Sequence, residues 1–152
     1  MIIQRINRTN PEKVFIIVRN DHSSAIAKGG ICVFNFDGTR NGLDVLPPSA
    51  SNDAHTTLLA GFADTAIGIG QYGLAQCYGV RTDAPMYKHG SASNSNAVVG
   101  DIMKVVTASN ILTAAAVGAV TAWLPAIVMG ETFASSSNSS GTTTATVFLR
   151  MM

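Results

Sequence analysis

Short apolar runs alternate with polar, glycine-containing breaks along this chain, and the runs predict β-strands. Residues 14–18 form the first strong run, with five β-branched or aromatic side chains in succession, long enough for a buried strand. Further strands are predicted at residues 31–36, 43–46, 57–63, 74–80, 102–107, 123–133 and 142–149, and another extended piece begins at Pro85. About seven to nine short strands with Gly, Pro and Ser at the bends indicate an all-β fold, built as a small barrel or a sandwich.

Residues 61–80 show this pattern most clearly. Glycines stand where the chain must bend, and the strand that follows places Gln76 and Tyr78 on one face and Ala75 and Cys77 on the other. The block contains strands and bends but no group of reactive side chains, so we interpret it as scaffold. The glycines expected at turns or close contacts are Gly61, Gly70, Gly73 and Gly79.

The second half of the chain gives a weaker pattern. Residues 111–120 are ambiguous, because three successive alanines favour a helix and the surrounding Thr, Val and Gly do not. Residues 105–130 carry no charge, but their polar side chains and Pro125 argue against a membrane-spanning helix. Residues 58–66 and 127–134 share an aliphatic run, a glycine and a phenylalanine, a match too short to indicate a duplication.

The composition indicates a protein whose surface is partly covered by other molecules. A chain of 152 residues is long enough for one domain with a real core. Only 12% of its residues are charged and 47% are hydrophobic, about half the usual charge. So little charge indicates that other copies of the chain, or a partner, cover much of its surface.

The net charge of +1 gives no general signal for nucleic acid or acidic substrates. The first twenty residues are nevertheless basic, with Arg5, Arg8, Lys13 and Arg19 against Glu12. We therefore predict an extended N-terminal arm, residues 1–13, followed by a single β-rich domain, residues 14–152. The basic start is compatible with contact to an acidic protein surface and equally with a solvated terminus.

Candidate chemistry is sparse. Cys32 and Cys77 stand alone in apolar runs, which favours buried free thiols. His22, His55 and His89 lie in polar loops without partners at metal-ligand spacing, so no metal is expected. The glycines of residues 68–73 match a dinucleotide fingerprint only in spacing, because no βαβ unit follows, and no cofactor is expected.

Four aspartates adjoin bends, where turn formation is the favoured role. They are Asp37, Asp44, Asp53 and Asp64. A small hydrolase that uses Asp37 or Asp64 is the rival interpretation; we predict that the chain is not an enzyme.

Several stretches in order along the chain resemble the small capsid decoration, or cement, proteins of tailed bacteriophages. They are residues 14–20, 27–34, 61–80 and 147–150. The resemblance implies a β-barrel or β-tulip-like body, commonly trimeric, seated on the outer capsid, with an N-terminal segment that helps to grip the shell. The Ala/Thr-rich residues 105–120 depart from that pattern.

The resulting prediction is a virion structural protein without catalysis. It would bind the exterior of the phage head, stabilise the major capsid lattice and form a homotrimer, with no nucleic acid or membrane partner, after synthesis in the host cytoplasm. Arg5, Arg8 and Arg19 are predicted to contact the major capsid protein through charge-assisted hydrogen bonds. The alternative is a fibre, neck or tail component whose carbohydrate-binding face uses tyrosines and Trp123.

Overall fold

The computed structural model of the chain describes residues 12–36, 42–48, 58–88, 99–100, 102–105, 112–114, 126–129 and 141–150. Within these ranges the regular structure consists of strands, and no helix occurs. The strands are β1 Val14–Asn20, β2 Ile31–Phe34, β3 Asp44–Leu46, β4 Leu59–Ala63, β5 Tyr72–Lys88, β6 Ile102–Val105, β7 Leu112–Ala114, β8 Ala126–Met129 and β9 Gly141–Arg150. The predicted all-β fold is confirmed.

The strands differ from the prediction mainly in β5. The strand expected at 74–80 and the extended piece expected near Pro85 are one continuous strand of 17 residues. The ambiguous segment 111–120 contributes the short strand β7, and the rest of that segment lies outside the described residues.

The described strands close into two hydrogen-bonded rings that share β5. The full order is β1-β3-β2-β4-β5-β7-β6-β8-β9, with two additional pairings, β1–β5 and β5–β9. The pairing β1–β5 closes the first ring, and β5–β9 closes the second. Of the two architectures that the sequence left open, the hydrogen bonding corresponds to small closed barrels.

Both rings follow the same plan. Strands β1 to β5 of the first ring correspond, in order, to β5 to β9 of the second, and each ring has one parallel pairing, β1–β3 and β5–β7. The cross-strand registers agree as well. Matching pairs are Asn20–Val45 with Met86–Leu112, Phe34–Val45 with Val105–Leu112, Ile31–Phe62 with Ile102–Val128, Phe62–Gln76 with Val128–Phe148, and Val18–Gly73 with Ala84–Ala145.

The shared register means that the two rings close with the same stagger between strands. The short sequence similarity between residues 58–66 and 127–134 falls on the corresponding strands β4 and β8. Its alignment differs, because the similarity sets Gly61 against Gly130, whereas the strand pairing matches Gly61 with Ile127.

Corresponding positions point into each ring and are buried in both. The buried pairs are Val18 and Ala84, Cys32 and Met103, Val45 and Leu112, and Ala75 and Val147. Ile31, Val33 and Phe62 of the first ring belong to the same apolar cluster as the interior of the second. The outer side of β2 and β4 therefore packs against the second ring, and the two rings form one body.

Of the predicted arm, residues 1–13, the structure describes only Glu12 and Lys13. Both are exposed and lie directly before β1, and the Glu12 carbonyl packs against Gly79. The division into an arm and a body from residue 14 onward remains a prediction.

Candidate interaction surface

Two outward-facing side chains of β1 are apolar and exposed to solvent. Side chains along β1 alternate between the ring interior and the exterior, so the expectation of a strand buried on both faces is wrong. Val18 is fully buried, whereas Phe15 is 36% and Ile17 62% exposed. An isolated exposed apolar residue needs no explanation, but neighbours on one face do.

The neighbouring strand extends this apolar surface. Leu74 lies directly opposite Ile17, and Tyr72 lies opposite Arg19. Leu74 is 44% and Tyr72 57% exposed. We call the surface formed by Phe15, Ile17, Tyr72 and Leu74 the β1–β5 face. Taking about 200 Å² for each side chain and roughly half of it exposed, the face presents on the order of 400 Å² of apolar area.

The second ring carries polar residues on the corresponding part of its outer wall. In the shared register Tyr72 corresponds to Thr144, whereas the counterparts of Ile17 and Leu74, Asp83 and Thr146, lie within a bulge between Arg81 and Ala84. Thr144 is exposed, and the Asp83 side chain is 42% exposed. The second ring thus closes with polar side chains on this part of its outer wall, one of which, Asp83, pairs with the buried Arg81.

Arg19 lies at the end of this face and is held by two carboxylates. Its Nη1 donates to Asp21 Oδ1 at 2.9 Å and to Asp44 Oδ1 at 3.2 Å. The hydrogen bond that Arg19 donates to the buried Asp44 is the largest cause of a raised Arg19 pKa, which burial partly opposes. The Arg19 side chain is 21% exposed. Of the other predicted contact residues, Arg5 and Arg8 lie outside the described part of the chain.

A turn stapled by side chains fixes the end of β1. The Asn20 side chain donates to the carbonyl oxygens of Ser24 at 2.9 Å and Ile67 at 3.0 Å, and its own Oδ1 accepts from the backbone N–H of His22. His22 Nδ1 lies 2.7 Å from Ser24 Oγ. This local network orients the loop after β1 and explains why the buried Asn20 is tolerated.

Arg81 fills the junction between the rings, where a bulge interrupts the pairing of β5 with β9 between Arg81 and Ala84. The side chain is buried, and it donates to the carbonyl oxygens of Phe62 at 3.4 Å and Ala63 at 3.1 Å. Its Nε lies 2.8 Å from Asp83 Oδ1, an ion pair whose alignment is not that of a hydrogen bond. The guanidinium also sits 5.6 Å from the Phe62 ring centroid.

The four predicted scaffold glycines lie at bends or close contacts. Gly79 and Gly61 have positive φ, at 98° and 151°, and a Cβ on either would meet backbone atoms of a neighbouring segment. Gly70 has a φ of 69° in the turn before β5. Gly73 lacks a positive φ, but a Cβ there would come within 2.6 Å of the Ile67 side chain.

Sequence reasoning missed the β1–β5 face as a site. Its signal is the unbroken apolar run of residues 14–18, which predicts a buried strand and which would be a liability if left uncovered on a monomer. Burial raises the Cys32 pKa to about 12, so that thiol is a neutral core group.

Among the aspartates proposed for hydrolysis, Asp44 is buried against Arg19 and Asp64 is half-buried. Asp37 and Asp53 lie outside the described residues, as do His55, His89 and Trp123.

Within the described ranges no three His, Cys, Asp or Glu side chains are grouped so that they could hold a metal ion. The same part of the chain contains no helix of the length and apolarity needed to cross a membrane. No family model matches the chain, and comparisons with curated proteins and with solved structures give no match either.

Proposed function

We propose that this chain is a capsid decoration protein that binds the outside of a phage head and stabilises the lattice of the major capsid protein. The observation that carries the proposal is the exposed apolar β1–β5 face on a closed β-body. A surface of that kind belongs to a protein that works by being covered in an assembly.

The energetics favour such a role. Covering about 400 Å² of apolar surface at roughly 25 cal/mol per Å² yields on the order of 10 kcal/mol before the costs of association. A protein that binds the assembled lattice and not the free subunits stabilises the assembly by mass action. This requires contact surface and a rigid body, which the two rings provide.

The basic N-terminal segment is the proposed grip on the shell. Arg5 and Arg8 precede β1, and Arg19 lies at the end of the β1–β5 face with its guanidinium held by Asp21 and Asp44. In this proposal the arginines donate to carboxylates or carbonyls of the major capsid protein. The protein is homo-oligomeric and sits on the capsid exterior.

Removal of residues 1–11 tests the grip. Glu12 is kept because its carbonyl packs against Gly79. We expect the shortened protein to keep the far-ultraviolet circular dichroism and the oligomeric state of the full chain, and to lose co-sedimentation with purified phage heads. The full-length chain is the control.

Two results would count against the proposal in different ways. Binding retained by the shortened protein would remove the arm from the mechanism. Failure of the full-length chain to co-sediment with heads of the phage that encodes it would reject the decoration role itself.

A further inference from the structure

We infer that the β1–β5 face is the contact between copies of this chain. The inference deepens the proposed function, on which it rests, by naming the partner that covers the face. It leaves the basic segment before β1 for the shell and assigns the apolar wall of the first ring to self-association.

The internal repeat allows the outer walls of the two rings to be compared. Outside the bulge of the second ring, the exposed Thr144 stands where the first ring has Tyr72. The positions of Ile17 and Leu74 correspond to Asp83 and Thr146 within that bulge, where Asp83 pairs with the buried Arg81. Exposed apolar side chains lower solubility, and a chain retains them where a partner removes them from water.

The chemistry of the face suits a second copy. Its centre carries no charged side chain, so the face can meet its own symmetry mate without placing like charges together. The whole chain has a net charge of +1, so copies repel one another only weakly. A partner selected for the arginines, in contrast, would present carboxylates, and these gain nothing against Ile17 and Leu74.

The area of the face also fits. A standard interface buries about 800 Å² on each partner, of which an apolar centre forms one part and a more polar rim the rest. The β1–β5 face supplies on the order of 400 Å² of that centre. Lys13, Ile69 and Gln71, which are close to the face along the chain, are exposed as well, and Ile69 is 63% exposed in the turn before β5. The face alone thus supplies about half of the area that a standard interface buries on one partner.

The test transfers the residues of the second ring to the first. Ile17→Asp and Leu74→Thr place polar side chains, of the types found at Asp83 and Thr146, at two exposed positions of the face. Sedimentation velocity and light scattering over a dilution series give the mass of each protein without any capsid present. We expect an oligomeric wild type, and a rise of about tenfold or more in the self-dissociation constant of each variant.

Val99→Ser is the matched control, because Val99 is 62% exposed, the same fraction as Ile17, and lies outside the face. It should leave the mass unchanged. Circular dichroism checks that each variant is folded, and Leu74→Thr preserves the test if Ile17→Asp does not fold.

The result that overturns the inference is a wild-type chain that stays monomeric up to high micromolar concentration, or an oligomer that both substitutions leave intact. Loss of head binding in the variants with unchanged mass would also overturn it and would assign the face to the shell. If Ile17→Asp dissociates the oligomer but the wild-type protein does not bind phage heads, the inference is supported and the decoration role is rejected.

Discussion

Gly79 lies where β5 passes closest to the segment that enters β1. Its φ of 98° is one that side chains with a Cβ rarely adopt, and an added methyl group would collide with the Glu12 carbonyl oxygen. The Glu12 carbonyl belongs to a backbone held by the pairing of β1 with β5, so it cannot simply move aside. A single methyl group at this position therefore acts on both strands.

We expect Gly79→Ala to lower the free energy of unfolding by about 3 kcal/mol or more, measured by urea denaturation. Gly42→Ala separates the two causes, because Gly42 has a similar φ of 83° with nothing within 4 Å of the added atom. That control should lose only about 1–2 kcal/mol, the cost of the backbone conformation alone. Equal losses at the two glycines would show that the contact with Glu12 is unimportant.

Burial of the Cys32 thiol makes the stability of the protein depend on pH. Its pKa rises from an ordinary 9.0 to about 12, chiefly because burial disfavours the thiolate. The folded state therefore keeps a proton that the unfolded state loses above pH 9.0. The contribution is fully present below that pH and declines as the pH rises toward 12.

The expected slope is a loss of up to about 1.4 kcal/mol of stability per pH unit from this thiol. Cys32→Ala should be less stable at neutral pH because of the cavity, and its stability should fall less steeply than that of the wild type between pH 9 and 11. Parallel slopes for the two proteins in denaturant titrations would contradict the assignment.

At the scale of elements, β5 joins the two rings, and its bulge is the point where it passes from one ring to the other. A β-bulge bends its strand and redirects the side chain there. Arg81 uses that redirection to bond the carbonyls of Phe62 and Ala63 at the end of β4. The bulge, the buried guanidinium and the end of β4 form one unit.

Arg81→Met should destabilise the protein by about 3 kcal/mol, because a flexible apolar chain of similar length leaves two carbonyls and the Asp83 carboxylate without their partner. Thr82→Ala, at the exposed neighbour in the same strand, is the control and should change stability by less than about 0.5 kcal/mol. The readout is the midpoint of urea unfolding at constant slope. A neutral Arg81→Met would mean that the junction is held by apolar packing alone.

The hydrophobic pattern was sufficient to locate most strands and insufficient to orient them. Residues 31–36, 43–46 and 57–63 were placed correctly because breaks on both sides bound each run. The run at 14–18 was assigned to the interior because an apolar side chain that faces a partner has the same pattern as one that faces the core. The pattern predicts two elements in place of β5 because Pro85 indicates the start of a new one.

At the scale of the whole molecule, the repeat was visible only through strand pairing. Equivalent interior positions hold Val18 and Ala84, or Cys32 and Met103, so burial is retained while the residue type changes. A core accepts such exchanges when total volume and pattern are kept, and this erases sequence similarity before it erases topology.

Strand β5 is a wall of both rings, so the hydrogen bonding of each ring is complete only with a strand that the other ring also uses. Unfolding of one ring would remove the hydrogen-bonding partners of β5 along part of its length. The two rings are therefore expected to unfold together, in one transition. The chain thus differs from tandem domains joined by a linker, which can be cut apart and kept as separate folded units.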